Sequence, residues 1–210
     1  MKKASAFAPG HITGFFQICD ESKDPLRKGS RGAGFSVEIG TQTKVQVEPS
    51  KREAIKIIIN GRVTGEAIVS ENAVRRMLEM EEEHQRVEVT HDIETPIGAG
   101  FSSSGGGALT ITMAMNEALE LGLSDIDVSR IAHLAEIECR TGLGSVFAAT
   151  QGGFGVLHRP GAPGIGESIK YGRSDELVAF CIHFGAISTS KALSNPALRR
   201  RINDLGGNFV

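Results

Sequence analysis

The stretch PIGAGFSSSGGGAL, residues 96–109, decides the fold, because it joins a strand pattern to a helix pattern through a glycine- and serine-rich loop. Before it, residues 87–91 alternate apolar and polar side chains, which is typical of a half-buried strand. After it, residues 109–121 carry apolar side chains at helical spacing. Three glycines in the opening turn of a helix each cost about 1 kcal/mol relative to alanine. We therefore expect a ligand to approach bare backbone there, and the amides of a helix N-terminus predict a phosphate site.

Three known glycine-rich loops do not fit this stretch. A P-loop ends in Gly-Lys-Ser/Thr, whereas no lysine lies between Arg86 and Lys170. The dinucleotide-binding pattern requires a third glycine where Ser103 stands. The nucleophile elbow of serine hydrolases requires a glycine where Ser102 stands, so it is only a near match.

A fourth pattern fits better. Pro96 is followed, after three residues, by GFSSSGG at 100–106. This segment resembles the ATP loop of the GHMP kinases, which has Leu, Gly and two Ala where this chain has Phe101, Ser102 and two glycines. A helix capped by one serine is the plainer alternative, but a cap needs no glycine triplet. The resemblance implies that ATP is bound by Pro96, Gly98, Gly100, Ser102, Ser103, Ser104, Gly105 and Gly106.

Further short motifs are similar to the archaeal pantoate kinases, one branch of that family. They are APGHITGFF at 8–16, GSRGAG at 29–34, EIECRTGLG at 136–144, GAPG at 161–164, and IST at 187–189 with Leu193. The resemblance implies an α+β fold: a GHMP-kinase N-terminal lobe, similar to domain 2 of ribosomal protein S5, over residues 1–165, and the beginning of a C-terminal lobe over 166–210. It also implies phosphorylation of pantoate, or of another small alcohol or hydroxy acid, on the way to coenzyme A.

The same resemblance assigns a Mg²⁺ site. The last serine of the loop, Ser104, helps to hold the metal of Mg-ATP in the family, and the spacing of the branch selects Glu136 as the carboxylate ligand. The helical wheel instead places Glu138 near the apolar face, where a carboxylate needs a partner. Both glutamates therefore remain candidates at this point.

The position after TGLG at 141–144 departs from the family pattern. The resemblance implies a catalytic aspartate there, and this chain has Ser145. Serine is a poor general base at neutral pH. Transfer without a base, a substitute group and an impaired site all remain open, so a protein that binds nucleotide without turnover is a second hypothesis.

The acceptor is expected on the side of the early motifs. His11 and Thr13 follow APG at 8–10, the usual substrate-side motif of the family, and Ser30 lies in GSRG at 29–32. A carboxylate-bearing substrate calls for a cation, and Arg31, Arg140 and Arg159 lie in or beside such segments and could bind it in bidentate fashion. A hydrolase with Ser104 as nucleophile and His158 or His183 as base is a third hypothesis, although no oxyanion motif accompanies it.

Composition limits the other classes of function. The chain has 210 residues, 23 basic and 25 acidic, for a net charge of −2, so it carries no electrostatic signature of nucleic-acid or membrane binding. Its three cysteines show neither metal nor disulfide spacing, and we expect a reducing cytoplasm. No apolar run is long enough to span a bilayer. Homodimerisation is left open.

Periodicity predicts the order of elements. Strands are expected at 5–8, 34–40, 44–47, 54–59, 87–91, 155–158, 167–171 and 177–182, and helices at 70–83 with Ser70 as N-cap, 103–121, 126–139 and 196–205. Because typical members of the family continue with a further lobe, we also expect the chain to be a fragment, with a naturally short protein as the alternative.

Overall fold

The computed structural model describes residues 1–172, 178–182, 185–186 and 188–208. Its strands are β1 (Lys2–Cys19), β2 (Gly29–Pro49), β3 (Ala54–Ile59), β4 (Arg62–Thr64), β5 (Gln85–Ile93), β6 (Phe154–Arg159) and β7 (Glu167–Tyr171). Its helices are α1 (Ile68–Leu78), α2 (Ser103–Leu119), α3 (Asp125–Cys139), α4 (Ser145–Gln151), α5 (Thr189–Ser194) and α6 (Pro196–Gly207), with a short 3-10 turn at Pro25–Arg27.

All seven strands form one sheet around the long strand β2. Strand β1 runs antiparallel along nearly the whole length of β2. On its other side, β2 pairs first with β6 and, further along the chain, with β5. Strand β3 is parallel to β5 because α1 crosses between them, and β4 and β7 pair antiparallel with β3 and β6. This mixture of a mainly antiparallel sheet with packed helices confirms the expected α+β class.

The core lies between the sheet and helices α1, α2 and α3. Strict alternation on β5 turns Val87 and Val89 inward, where they meet Val45 and Val47 of β2. On the helix side, Met77, Ile111 and Met115 are fully buried against these valines. Helix α2 is buried along most of its length, so its N-terminus is held rigidly at one end of the core. Among the described residues, no helix is both long and apolar enough to cross a membrane.

The expected elements match the structure with some differences. Strands β3 and β7 have the predicted bounds, whereas β1 is far longer, and the two strands expected at 34–40 and 44–47 are parts of β2. Helix α1 begins at Ile68, so the N-cap expected at Ser70 is wrong: Ser70 is buried inside the helix and bonds to His91. Residue 177 lies outside the described residues, and 178–182 do not form the expected strand. Strand β4 and helices α4 and α5 were not predicted: β4 has only three residues, and helices of seven and six residues are too short to show a helical period.

Candidate active site

The loop before α2 is shaped by residues with left-handed backbone angles. Gly98 and Gly100 have φ values of 76° and 86°, and Ser102, the residue before the helix, has φ 60°. Residues with a side chain rarely adopt such backbone angles, which explains the glycines at positions 98 and 100. The loop is fixed to β1 by a hydrogen bond from the His11 amide to the Phe101 carbonyl, 3.1 Å long. The loop therefore has a defined shape next to β1.

The first turn of α2 presents unpaired amides. The first bond of the helix runs from the Gly106 amide to the Ser102 carbonyl, 3.0 Å long. The amides of residues 103–105 therefore have no carbonyl of the helix to bond to. Ser102 makes no side-chain cap bond to them either, so the serine-cap alternative does not apply. Such a turn, with the positive end of the helix dipole, favours an anion.

The glycine triplet has a different explanation from the one expected. Gly105, Gly106 and Gly107 are buried, and none lines the cavity described below. A Cβ on Gly105 would lie 2.5 Å from the Ser145 Cβ, whereas one on Gly106 would lie 3.3 Å from the Thr41 hydroxyl. The glycines therefore let α2 pack closely against the sheet and against the residues around Glu136. In this segment, the loop and the first helical residues, rather than the glycine triplet, face the cavity.

Glu136 of α3 is buried directly behind this turn. Its side chain is 2% exposed, and the Ser104 hydroxyl donates a 2.7 Å hydrogen bond to Oε1. The Thr141 hydroxyl donates to the same oxygen at 3.3 Å, and Ser145 contributes a further side-chain bond. Burial raises the pKa of Glu136, and these hydroxyls only partly offset that effect. Among the described residues no basic side chain forms an ion pair with it, so the carboxylate lacks a cation.

Glu138, the other candidate, lies on the outside of the same helix. It is exposed and forms an ion pair with Arg76 of α1, whose hydrogen bond lowers the pKa of Glu138. The helical-wheel argument for Glu138 is therefore wrong: its partner is a surface arginine. Of the two glutamates, only Glu136 contacts Ser104.

Small residues make room for the Glu136 carboxylate. A Cβ on Gly142 would collide with Glu136 Oε2 and with the Ser145 hydroxyl, and one on Gly105 would lie 2.8 Å from the same Oε2. Ser145 is the first residue of α4 and packs into this space. Ser104 and Ser145, which the sequence predicts in the catalytic site together with Glu136, thus each bond to the Glu136 carboxylate.

A cavity of about 930 Å³ opens on the outer side of this cluster. Residues 97–104 and 141–145 line it opposite the sheet residues of β1, β2, β6 and β7. Its size is at the upper end of the range for small-molecule sites. Of the residues expected to bind substrate, His11, Thr13 and Ser30 line this cavity.

The three arginines expected to bind a carboxylate lie outside the described cavity lining. Arg31 points away from its neighbours Ser30 and Gly32 and donates to the Gln17 side chain. Arg159 forms an ion pair with Glu167, and Arg140 is an exposed residue that ends α3. Pro96 also lies outside the lining and instead accepts a bond from the Ala99 amide in the turn. Lys170, which the sequence did not single out, lines the cavity.

His11 is a neutral group at physiological pH. Burial lowers the pKa of His11 to about 4, and its Nδ1 has no hydrogen-bond partner among the described residues. Its ring packs over Gly34, where a Cβ would collide with it. His11 can therefore offer a hydrogen bond to a ligand but no charge. The hydrolase hypothesis finds no support, because the Ser104 hydroxyl bonds to Glu136, His158 does not line the cavity, and His183 lies outside the described residues.

The residues present fit a magnesium ion. Mg²⁺ prefers hard oxygen ligands and is usually held by one or two protein carboxylates together with phosphate oxygens and water. Glu136 and Ser104 supply adjacent oxygens, and the carboxylate is buried without a cation. Within the described part of the chain, no cluster of three or more His, Cys, Asp or Glu side chains is present. The arrangement thus suits a metal that arrives with a phosphate ligand better than a metal held by protein alone.

Comparison with known proteins agrees with this geometry. Residues 68–153 match the family model of the GHMP kinases N terminal domain. The chain is 32% identical to the pantoate kinase of Methanocaldococcus jannaschii, over 95% of this chain and 69% of that protein. It is 33% identical to the pantoate kinase of Thermococcus kodakarensis, over 92% of this chain and 64% of that protein. The chain therefore spans about two thirds of the length of these curated relatives.

A solved structure described as a phosphotransferase related to the coenzyme A biosynthesis pathway superposes on this fold. Its TM-score is 0.76 at 31% identity, covering 82% of this chain and 58% of that one. The family match over residues 68–153 includes the loop before α2 and the helix that carries Glu136. By sequence identity over most of its length and by fold, the chain belongs to the GHMP kinase family.

Proposed function

We propose that this chain is part of a kinase that uses Mg-ATP to phosphorylate the primary hydroxyl of pantoate, forming 4-phosphopantoate in coenzyme A biosynthesis. One observation carries the kinase proposal: the buried Glu136 carboxylate accepts a bond from Ser104 beside the unpaired amides of a helix N-terminus. The choice of pantoate is supported by the relatives at 32% and 33% identity. Another small alcohol or hydroxy acid is the alternative acceptor.

Each part of the site has a separate task in this proposal. The amides of residues 103 and 104 and the loop from Gly98 bind the phosphates of ATP, as members of this family bind ATP and Mg²⁺. Ser104 and Glu136 hold the Mg²⁺, which neutralises charge on the phosphoryl group when it is bound. The acceptor occupies the part of the cavity lined by His11, Thr13 and Ser30.

Positioning and charge neutralisation carry most of the catalysis in phosphoryl transfer. The site has no carboxylate at position 145 to accept the proton of the acceptor hydroxyl, and Ser145 is itself bonded to Glu136. We propose that transfer proceeds without a dedicated protein base.

We also propose that residues 1–165 form the nucleotide-binding lobe, that 166–210 begin a second lobe, and that the protein acts in the cytoplasm.

The kinase proposal predicts that Ser104→Ala slows phosphoryl transfer to pantoate by about a hundredfold, since the variant removes a ligand of Mg²⁺ and a donor to Glu136. ADP release is measured with pantoate, mevalonate, homoserine and shikimate as acceptors. Turnover of pantoate alone supports the full proposal, and turnover of another acceptor supports the alternative. An unchanged rate in the variant contradicts the role of Ser104.

A Ser145→Asp substitution tests whether the site tolerates the missing base. We expect the free chain to melt at a lower temperature, because a second carboxylate beside the buried Glu136 adds like-charge repulsion. Mg-ATP should recover most of that loss, since the metal neutralises both charges. Thermal melts with and without Mg-ATP measure both effects, and an unchanged melting temperature of the free chain would contradict the expected crowding. An increased transfer rate would show that the natural site is impaired, and an unchanged rate would support transfer without a base.

The second candidate function is nucleotide binding without turnover, which Ser145 favours. It predicts a measurable affinity for Mg-ATP in calorimetry and no ADP release with any acceptor. Measurement on a chain as long as the curated relatives separates this function from slow catalysis by an incomplete site.

A further inference from the structure

The cavity is almost devoid of charge. Among its described lining residues, Lys170 of β7 is the only side chain that is charged at neutral pH; no aspartate, glutamate or arginine lines it. The rest of the lining consists of glycines, hydroxyl-bearing residues, apolar side chains and the uncharged polar side chains of His11 and Gln151. A single cation in such surroundings is attracted to an anion with little competition from neighbouring charges.

Lys170 lies at one end of a row that crosses the sheet. The strand register aligns Thr13 of β1, Gly34 of β2, Gly155 of β6 and Lys170 of β7. All four line the cavity. The two central members are glycines, and the His11 ring covers the position of Gly34. The row forms a trench about 14 Å long, from the spacing of about 4.8 Å between neighbouring strands.

A second row borders the trench on the same face of the sheet. Phe16, Gly32, Leu157 and Ser168 are aligned in the same way and also line the cavity. Leu157 and Phe16 supply apolar surface, and Ser168 supplies a hydroxyl next to the strand position of Lys170. The trench therefore combines a floor of glycine backbone next to the His11 ring, an apolar side and a cation at its far end.

The ammonium group of Lys170 is available to a ligand. Lys170 is exposed and forms no ion pair with any residue in the described ranges. Nearby basic residues differ: Arg159 pairs with Glu167, and Arg199 makes two hydrogen bonds to Asp20. Because no carboxylate of the described residues pairs with Lys170, its ammonium group can bind an anionic ligand in this cavity.

We propose that Lys170 binds the carboxylate of the acceptor and thereby selects hydroxy acids over neutral alcohols. This inference rests on the proposed kinase function for the identity of the acceptor. The phosphate loop is bonded to β1 through His11 and Phe101, whereas Lys170 lies on β7, three strands away. Ser30 lies beside Leu157, since a Cβ on Gly144 would contact both side chains. An acceptor with its hydroxyl near Ser30 and its apolar body along Leu157 therefore directs its carboxylate toward Lys170.

Calorimetry with pantoate tests the inference independently of turnover. Lys170→Gln should weaken pantoate binding by about tenfold or more, the scale of a lost bond to a charged group. Lys170→Arg should retain most of the affinity, and binding of ATP should be unchanged in both variants. Pantoamide, the neutral amide of pantoate, should bind equally to the unaltered chain and to Lys170→Gln. Lys56→Gln is the matched control, because Lys56 pairs with Glu88 outside the cavity.

The two proposals fail in different ways. Loss of pantoate affinity in Lys170→Gln without any turnover by a chain as long as the curated relatives would sustain the carboxylate site and overturn the kinase function. Equal pantoate affinity in both chains would overturn the carboxylate site, even if the chain transfers phosphate. Failure of the unaltered chain to bind any hydroxy acid would also overturn it. Matching thermal melts of the variants confirm that the fold is intact.

Discussion

The Glu136→Gln variant should lose phosphoryl transfer by about a hundredfold to a thousandfold, the scale of removing one preorganised electrostatic contact, and yet melt at a higher temperature at neutral pH. The amide keeps the size of the side chain and can still accept the bond from Ser104. It cannot supply the negative charge that the proposed Mg²⁺ site requires. Initial rates of ADP release at saturating Mg-ATP measure the first effect.

The gain in stability follows from the direction of the pKa shift. Burial raises the pKa of Glu136 above its ordinary value of 4.5, so the folded state favours the protonated form. The stability that the protonated Glu136 side chain provides is fully present at pH values below its ordinary pKa. It is lost as the pH rises through the higher pKa of the folded state. At neutral pH the ionised carboxylate therefore destabilises the free chain, and glutamine removes that cost. Differential scanning calorimetry should show the gain at neutral pH and little gain near pH 4.5.

Glu138→Gln is the matched control, because it makes the same chemical change two residues further along the same helix. Glu138 is exposed and paired with Arg76, so the substitution should leave the transfer rate within about twofold and lower stability only slightly. Mg-ATP should raise the melting temperature of this control but have a much smaller effect on Glu136→Gln. Equal loss of activity in both variants would show that the helix, rather than the Glu136 carboxylate, is responsible.

Local pattern predicted the fold because the decisive segments have unambiguous periods. Strand β5 alternates buried and exposed residues over its full length, and the bounds of β3 and β7 were predicted to the residue. The short elements were missed, since a helix such as α4 has only seven residues and no room for a period. The continuity of β2 was missed as well, because Gly40 interrupts its pattern while the strand continues through a bulge opposite Pro9 and Gly10.

The contacts within the candidate site follow partly from local sequence and partly from the arrangement of the sheet. The contact of Ser104 with Glu136 agrees with the spacing that selected this glutamate, and Thr141 completes it from a motif already noted. Which cation lines the cavity is decided by strand register, which one chain segment does not reveal. Lys170 lines the cavity. Ser30 and Gly32 also face it, and Arg31, which lies between them on β2, therefore faces the other side of the sheet.

The second large effect is expected from a glycine-to-alanine substitution in the first turn of α2, with the same substitution two residues later as its control. Gly105→Ala should lower both stability and activity, because its Cβ would lie 2.5 Å from the Ser145 Cβ and 2.8 Å from Glu136 Oε2. Overpacking of this kind costs about 1–3 kcal/mol, which exceeds the gain of about 1 kcal/mol from helix propensity. Displacing Glu136 from Ser104 by about 1 Å should reduce transfer by about a hundredfold.

Gly107→Ala is the control, and its effect on stability should have the opposite sign. Its Cβ would lie 3.4 Å from the nearest atom, Cε1 of His91, which is an ordinary contact. The propensity gain then dominates, and the melting temperature should rise by about 2–4 °C, with the transfer rate unchanged. Thermal melts and ADP release on both variants decide the matter. If both substitutions destabilise the chain equally, close packing against Glu136 is not the reason for glycine at 105. If neither does, the residues around Glu136 move to accommodate the added methyl group without a loss of stability.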